Sequence, residues 1–216
     1  EIAIIFAPGY QGSKGFLAPL AEYFSQQGFL SIVFDPRGEG ESGGEVYALG
    51  AFEDEDIEAI MNYVEESYKI HRFVLFGFSA GATASIIVAA RNQERVVAII
   101  ADSPFANLSI AQGKNLFQVI WMNLCNLWGY LKTGINLFQE TNALSVIENV
   151  ANIFIIHGRE DRTLSILNSQ ILYERAQNPK ELWIVEGADH VQAVKLYPNE
   201  YLNRTLAFIQ ARTGGR

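Results

Sequence analysis

Short apolar segments alternate with amphipathic segments along the whole chain. The apolar segments are nearly continuous runs of aliphatic and aromatic residues, as expected of strands buried on both faces of a parallel sheet. They cover residues 2–6, 30–34, 73–76, 96–101, 153–156 and 182–185. Between them, apolar residues recur every three or four positions, which predicts helices. The pattern therefore predicts an α/β fold: a doubly wound, mostly parallel sheet of about six visible strands flanked by helices.

The predicted helices differ in how their apolar residues are placed. Residues 80–90 are small and apolar on all sides, which predicts a buried helix. Phe16, Leu20 and Tyr23 belong to one stripe at helical spacing. A second stripe, from Ile57 onwards, follows four acidic residues at 53–56. The helix dipole favours negative charge at a helix start, and this explanation is preferred to a calcium site, whose loops need glycine and alternating ligands.

In a doubly wound sheet the ligand site lies at the carboxyl ends of the strands. After the third apolar run comes Gly77-Phe78-Ser79-Ala80-Gly81, a G-x-S-x-G motif between a buried strand and a buried helix. The glycines permit a sharp turn that presents the serine hydroxyl at the start of the helix. We therefore expect Ser79 to be a nucleophile, the alternative being an ordinary strand–helix turn.

A serine nucleophile needs an adjacent base, and the chain has three histidines. His71 precedes the third run, at the wrong edge of the sheet. His157 ends the fifth run and is expected to pack there. His190 lies in the loop after the sixth run, at the correct edge, and is therefore the predicted general base.

The base needs a carboxylate that orients it. Asp161 follows the fifth run, which makes the chain order Ser79, Asp161, His190. This order is the one found on sheets with a nucleophile elbow. Asp102, at the end of the fourth run, is the runner-up, and Glu160 and Asp189 are further alternatives.

The oxyanion of an acyl-transfer reaction needs fixed N–H donors. One predicted donor is the N–H of Ala80, the residue after the nucleophile. The other is the N–H of Tyr10, in the loop after the first run, where Gly9 and Gly12 let the backbone turn inward. The ring of Tyr10 can also wall the pocket, and Gly9 and Phe78 are candidate substrate-binding residues.

An insert of about fifty residues separates the fourth and fifth runs. It is longer than the other connections, and we expect residues 105–150 to form a short helical cap or lid. Its strongly apolar part contains Phe117, Trp121, Leu124 and Trp128. They either form an acyl-binding wall or an interfacial surface, or they pack on the domain. Cys125 lacks a paired base and is expected to be a packed lid residue.

Composition narrows the choice of partners. A chain of 216 residues, 49 % hydrophobic, is expected to form one domain over residues 1–216. The net charge of −8 argues against nucleic acid and against an anionic membrane surface. One cysteine forms no internal disulfide, and neither a signal pattern nor a transmembrane run is visible, which favours a cytoplasmic protein. Because the chain opens without Met directly into a strand, an upstream segment is expected to be missing.

Taken together, these residues resemble the α/β-hydrolase superfamily, in its serine-hydrolase branch. The closest likeness is to small esterases and acylaminoacyl-peptidase-like hydrolases with a short cap. The family also often carries D-x-R-G-x-G-x-S, matched here by residues 35–42. Three features depart from it: Pro8-Gly9 replaces His-Gly before the oxyanion loop, Leu164 replaces a proline after the acid, and the first antiparallel strands are not visible.

The resemblance implies a serine hydrolase that needs no cofactor and no metal. Its expected substrate is a small molecule: an ester or thioester of a small to medium hydrophobic acyl group. A peptidase of similar mechanism is the alternative within the same chemistry. A ligand-binding module without catalysis is the alternative from a different class, since fold does not guarantee activity.

Overall fold

The computed structural model describes residues 1–44, 51–108, 120, 123–124, 126–128, 130–131, 134 and 136–214. Its described strands are β1 (Ala3–Ala7), β2 (Leu30–Val33), β3 (Phe73–Phe78), β4 (Val96–Asp102), β5 (Ile153–Gly158) and β6 (Lys180–Val185). They form one sheet in the order β2-β1-β3-β4-β5-β6, and every neighbouring pair is parallel. The predicted parallel sheet of six strands is confirmed.

The described helices connect these strands. They are α1 (Lys14–Gln26), α2 (Glu53–Tyr68), α3 (Ala80–Arg91), α4 (Leu137–Glu140), α5 (Leu167–Arg175), α6 (Ala193–Leu196) and α7 (Pro198–Thr213), with 3-10 turns at Ala143–Ser145 and Ile147–Asn149. The acidic cluster forms the first turn of α2, as predicted. Its carboxylates are also ion-paired, since Asp54 binds Arg91 and Asp56 binds Arg37.

Successive side chains of each central strand are buried on opposite faces of the sheet. On β3, Leu75 packs with the core under α2, α3 and α5. Its neighbour Phe76 packs with the core under α1 and α7. This two-sided burial explains why the strands read as continuous apolar runs.

The strand order reverses between β1 and β3, because β2 lies on the other side of β1. The pairing places Ala7 beside Gly77 and Phe78 beside Asp102, at the carboxyl ends of the strands. At this edge the loops after β1, β3, β4, β5 and β6 meet. A crevice at such a reversal is the usual ligand site of an open α/β sheet.

In the insert between β4 and β5, residues 120, 123–124, 126–128 and 130–131 are helical. Within the described residues, each helix falls short of the length or hydropathy that crossing a bilayer requires.

Candidate active site

The turn that carries Ser79 is held in an unusual backbone conformation. Ser79 lies directly before α3 with φ +52°, in a region that L residues rarely adopt. Its N–H donates to the carbonyl oxygen of Asp102 at 2.8 Å. A Cβ atom at Gly77 would overlap Ala82, and one at Gly81 would overlap the carbonyl oxygens of Ala7 and Pro8. Both glycines are therefore required for the close packing that presents Ser79.

The structure brings Ser79, His190 and Asp161 together from three separate loops. The Nε2 atom of His190 lies 3.0 Å from the Oγ atom of Ser79. The Nδ1 atom of the same ring lies 2.7 Å from Oδ2 of Asp161. The His190 side chain is 20 % exposed, whereas that of Asp161 is fully buried. Because a carboxylate can only accept, Nδ1 carries the proton and Nε2 is free to accept from the serine hydroxyl.

The surroundings of Asp161 favour its ionised form. Its Oδ1 atom accepts the N–H groups of Thr163 at 2.8 Å and of Leu164 at 2.7 Å. Burial raises the pKa of Asp161, but hydrogen bonds from His157, His190 and Leu164 outweigh it and hold this pKa well below its ordinary value. A carboxylate that stays ionised can orient His190 and stabilise its protonated ring.

His157 contacts the same carboxylate oxygen of Asp161 as His190 does. Its ring is fully buried, and Nε2 lies 3.2 Å from Oδ2 of Asp161 and 3.1 Å from the carbonyl oxygen of Leu164. Both partners accept, so Nε2 carries a proton, and Nδ1 lies 2.7 Å from Oγ of Ser169. The sequence predicted that His157 packs at a strand end. The contact with Asp161 was missed, although the i, i+4 spacing of the two residues was visible.

The alternative acids have other partners. Asp102, the runner-up, accepts hydrogen bonds from Ser103 and Tyr201. Asp189 binds the guanidinium of Arg162, and Glu160 is exposed. Of the acids weighed from the sequence, Asp161 is the one whose side chain meets the His190 ring.

A large cavity opens beside Ser79, with a volume of about 1220 Å³. Its described walls come from the loop after β1, from α1, from the turn at Ser79 and from the segments after β4, β5 and β6. Most of the wall side chains are apolar; they include Phe16, Leu20, Tyr23, Phe105, Leu164 and Leu202. Gly9, Tyr10, Phe78, Ser79, Ala80 and His190 line it too. An apolar cavity with a few convergent polar groups is the usual form of a small-molecule site.

The predicted oxyanion donors lie at the wall of this cavity. Ala80 is the first residue of α3, so its N–H has no partner within the helix ladder. Tyr10 lies in the loop after β1, which approaches the elbow so closely that a Cβ at Gly9 would lie 2.9 Å from Cβ of Ser79. Both residues are therefore at the edge where a bound carbonyl group would meet Ser79.

Comparison with known proteins identifies the family to which the fold belongs. The model of the alpha/beta hydrolase fold family matches residues 2–124. The chain belongs to this family. The protein YfhR of Escherichia coli K12 is 29 % identical over 195 residues, which are 88 % of this chain and 63 % of the relative. The chain thus spans less than two thirds of that relative's length.

Solved structures share the architecture of this family member. An esterase of Pyrococcus furiosus superposes with a TM-score of 0.79 and 27 % identity, over 97 % of this chain and 82 % of the other. A monoacylglycerol lipase of Paleococcus ferrophilus superposes with a TM-score of 0.75 over 95 % of this chain and 94 % of the other. At 17 % identity, that second likeness shows the fold alone.

The D-x-R-G-x-G-x-S motif braces the loop after β2. The carboxylate of Asp35 accepts the N–H groups of Lys14 at 2.8 Å and of Glu41 at 3.1 Å. Ser42 donates its hydroxyl to the carbonyl oxygen of Asp35 at 2.6 Å. Gly40, at φ +53°, lies against the Asp35 carboxyl group, where a Cβ would overlap it. These contacts tie the loop to the start of α1, beside the cavity.

Two of the residues predicted to form an acyl-binding wall are described by the structure, and neither lines this cavity. Leu124 and Trp128 lie outside the described lining and are 55 % and 66 % exposed. Phe117, Trp121 and Cys125 lie outside the described residues. The apolar wall that the structure does describe includes one side of α1. The sequence showed that stripe, but helical spacing alone does not distinguish a core face from a cavity wall.

Proposed function

We propose that this chain is a serine hydrolase of the carboxylesterase type, which cleaves an ester or thioester of an apolar acyl group through an acyl-enzyme. The observation that carries the proposal is the continuous chain of contacts from Ser79 Oγ to His190 Nε2, at 3.0 Å, and from His190 Nδ1 to Asp161, at 2.7 Å. Nucleophile, base and orienting acid are within hydrogen-bond reach without any rearrangement. The likeness to an esterase at 27 % identity supports the same chemistry.

Acylation follows from this geometry. His190 Nε2 takes the hydroxyl proton as Ser79 Oγ bonds to the acyl carbon, and the carbonyl electrons move onto oxygen. The N–H groups of Ala80 and Tyr10 stabilise that oxyanion. Collapse of this tetrahedral intermediate breaks the bond to the leaving group, which takes the proton from His190 and departs as an alcohol or thiol. Asp161 stabilises the imidazolium that exists between the two proton transfers.

Deacylation repeats these steps with water. His190 removes a proton from water, whose oxygen bonds to the acyl carbon of the acyl-enzyme. The second tetrahedral intermediate releases Ser79, which regains its proton from His190, and the carboxylic acid leaves. Because the His190 side chain is 20 % exposed, water can reach the ring without opening of the core.

The cavity favours an apolar acyl group of small to medium size. Its walls are mostly hydrophobic, so each methylene that enters gains about 0.8 kcal/mol from leaving water. An uncharged ester also avoids the cost of burying an unpaired charge. Activity should therefore rise with chain length until the cavity is filled.

Hydrolysis of a p-nitrophenyl ester series from acetate to dodecanoate tests the proposal. We expect kcat/KM to rise with chain length and then to fall, and Ser79→Ala to reduce turnover at least 10³-fold, as an order of magnitude for loss of such a nucleophile. Ser85→Ala is the matched control, because its buried hydroxyl bonds within α3, to the carbonyl oxygen of Gly81. Undiminished turnover by Ser79→Ala would contradict the mechanism. A chain that hydrolyses none of the esters would favour the binding module.

A further inference from the structure

A second buried acid lies between the turn of Ser79 and the turn of His190. Asp102 ends β4 and has no exposed surface. Its carbonyl oxygen accepts the N–H of Ser79 at 2.8 Å, so its backbone already holds the serine turn. Its side chain takes no part in the mechanism proposed above. A buried carboxylate is costly unless its hydrogen bonds are satisfied, so its partners are informative.

Those partners are two hydroxyl groups. Ser103 Oγ donates to one carboxylate oxygen of Asp102 at 2.9 Å. The hydroxyl of Tyr201, on α7, donates to the other oxygen at 2.9 Å. Tyr201 is itself fully buried. The carboxylate is therefore tied both to the residue that follows it and to the last helix.

The hydroxyl of Ser103 continues this connection to the histidine. Its one proton is directed at Asp102, which leaves a lone pair of Oγ to accept from elsewhere. The N–H of Val191 donates to Ser103 Oγ at an N-to-O distance of 3.3 Å. Val191 directly follows His190, so one backbone group beside the histidine is held by Ser103.

The backbone is strained at three residues of this connection. Ser79, Ser103 and Val191 have φ angles of +52°, +53° and +54°. Val is β-branched, and such a residue at positive φ is a genuine outlier. Strained residues persist only where their surroundings over-determine them. The hydrogen bonds of Asp102 and Ser103 supply that constraint on two of the site's turns.

Burial opposes ionisation of the Asp102 carboxyl group, whereas its hydrogen bonds favour ionisation. Burial raises the pKa of Asp102 to about 6, against the effects of Ser103, Tyr201 and the nearby His157 and His190 rings. At neutral pH the carboxylate is ionised, which fixes the direction of the Ser103 hydroxyl proton. Because the hydroxyl proton of Ser103 points at Asp102, the Oγ lone pair stays available to the N–H of Val191.

We infer that Ser103, anchored by the carboxylate of Asp102, is a positioning residue for His190. It holds the turn after His190 at a set distance from the turn of Ser79, and so keeps Nε2 within reach of Oγ. This inference rests on the proposed function for its kinetic consequences. Its structural consequence, the fixed orientation of the His190 ring, can be measured without a substrate.

Kinetics of Ser103→Ala, beside wild type and Ser85→Ala, test the kinetic part. We expect kcat to fall about 10- to 100-fold, because a misplacement of about 1 Å costs that much. KM should change by less than about twofold, since Ser103 acts through His190 and not on the substrate. Ser103→Gly removes the same hydroxyl in a residue that adopts positive φ freely, so it covers a failure of the alanine variant to fold. A kcat equal to that of Ser85→Ala would overturn the inference.

A double-mutant cycle tests the link to Asp102. Substitutions at residues that belong to one hydrogen-bond network have non-additive effects. Asp102→Asn combined with Ser103→Ala should therefore reduce kcat no further than the more damaging single change. Reductions that multiply would show two independent effects and would overturn the anchoring role.

The ring signals of His190 in NMR spectra of histidine-labelled protein need no substrate. In Ser103→Ala we expect these signals to shift and broaden, because the ring loses its fixed orientation. The signals of exposed His71 serve as the internal reference and should stay unchanged. Unchanged His190 signals would overturn the inference even in an active enzyme. A wild type that hydrolyses no ester would instead overturn the proposed function, while these spectra still decide on Ser103.

Discussion

Ser79 occupies a backbone conformation that its neighbours impose. A non-glycine residue at φ +52° is strained, at a cost of order 1–3 kcal/mol. The motif around it predicted this turn, because two glycines flank the serine at the spacing that a sharp elbow requires. The contact with His190 could be predicted only through chain order and the edge of the sheet. The distances themselves depend on three loops whose conformations the sequence pattern does not specify.

His157 shows what residue-type reasoning leaves out. A histidine in an apolar run is usually a packed core residue, and His157 is indeed fully buried. Its function in the site depends on Nε2, which faces Asp161 and the carbonyl oxygen of Leu164. The orientation of a ring in the core is decided by packing, which hydrophobic periodicity does not describe.

Replacement of His157 should separate its hydrogen bond from its bulk. His157→Phe removes the donor to Asp161, and because a hydrogen bond to a charged group contributes about 1.5 kcal/mol or more, we expect kcat to fall roughly tenfold. His157→Gln keeps an amide donor near the Nε2 position and should retain more of the activity. Steady-state kinetics of both variants measure this. Equal activity of the two would show that the donor does not matter.

At the scale of elements, the predicted strands agree with the structure to within one or two residues at their ends. The third strand continues to Phe78 and the sixth begins at Lys180, beyond the apolar runs that predicted them. Polar or small residues at strand ends are invisible to an apolar pattern. The motif predicted the sharp turn at Gly81, but the close packing of α3 against the loop after β1 was seen only in the structure.

Gly81→Ala should disrupt that packing. The new Cβ would overlap the carbonyl oxygens of Ala7 and Pro8, and overpacking of this kind costs about 1–3 kcal/mol. For a chain of this size we expect Tm to fall by several degrees, measured by differential scanning calorimetry. Gly43→Ala is the matched control, since a Cβ there meets no atom within 4 Å among the described residues. An unchanged Tm in Gly81→Ala would contradict the close approach of α3 to this loop.

At the scale of the whole molecule, composition and alternation predicted the architecture correctly. Two-sided burial of the strands and the parallel order follow directly from the continuous apolar runs. The size of the cavity could not be predicted from the apolar runs, because it depends on how α1 and the segment after β6 are spaced over the sheet. The buried Asp102 was recognised as an acid at the correct edge, but its hydroxyl partners come from elements far apart in the sequence.

Asp102 also makes the stability of the whole fold depend on pH. Its pKa is about 6 in the folded chain against 3.8 for an unperturbed group, so the folded state binds the proton more tightly. The stability that this group contributes is complete below pH 3.8 and is lost as pH rises through 6. The loss amounts to about 3 kcal/mol, from 1.4 kcal/mol per pKa unit.

Urea unfolding of wild type and Asp102→Asn between pH 4 and pH 8 measures this effect. Because the variant has no ionisable group at this position, its free energy of unfolding should decline less with rising pH than that of wild type. Asp161→Asn should instead lower the free energy of unfolding by a constant amount between pH 4 and pH 8, since the pKa of Asp161 is lowered in the fold and its stabilisation is lost only below the ordinary pKa of 3.8. Parallel pH profiles for wild type and Asp102→Asn would contradict the buried, ionised state of Asp102.

The central claim is that Ser79 is a nucleophile activated by His190. The most direct test is reaction of the whole chain with a fluorophosphonate, followed by mass spectrometry of its peptides. The account predicts one phosphonate adduct per chain, on Ser79, and loss of labelling in Ser79→Ala and His190→Ala. Labelling that persists in Ser79→Ala, or a wild type that forms no adduct on Ser79, would contradict it.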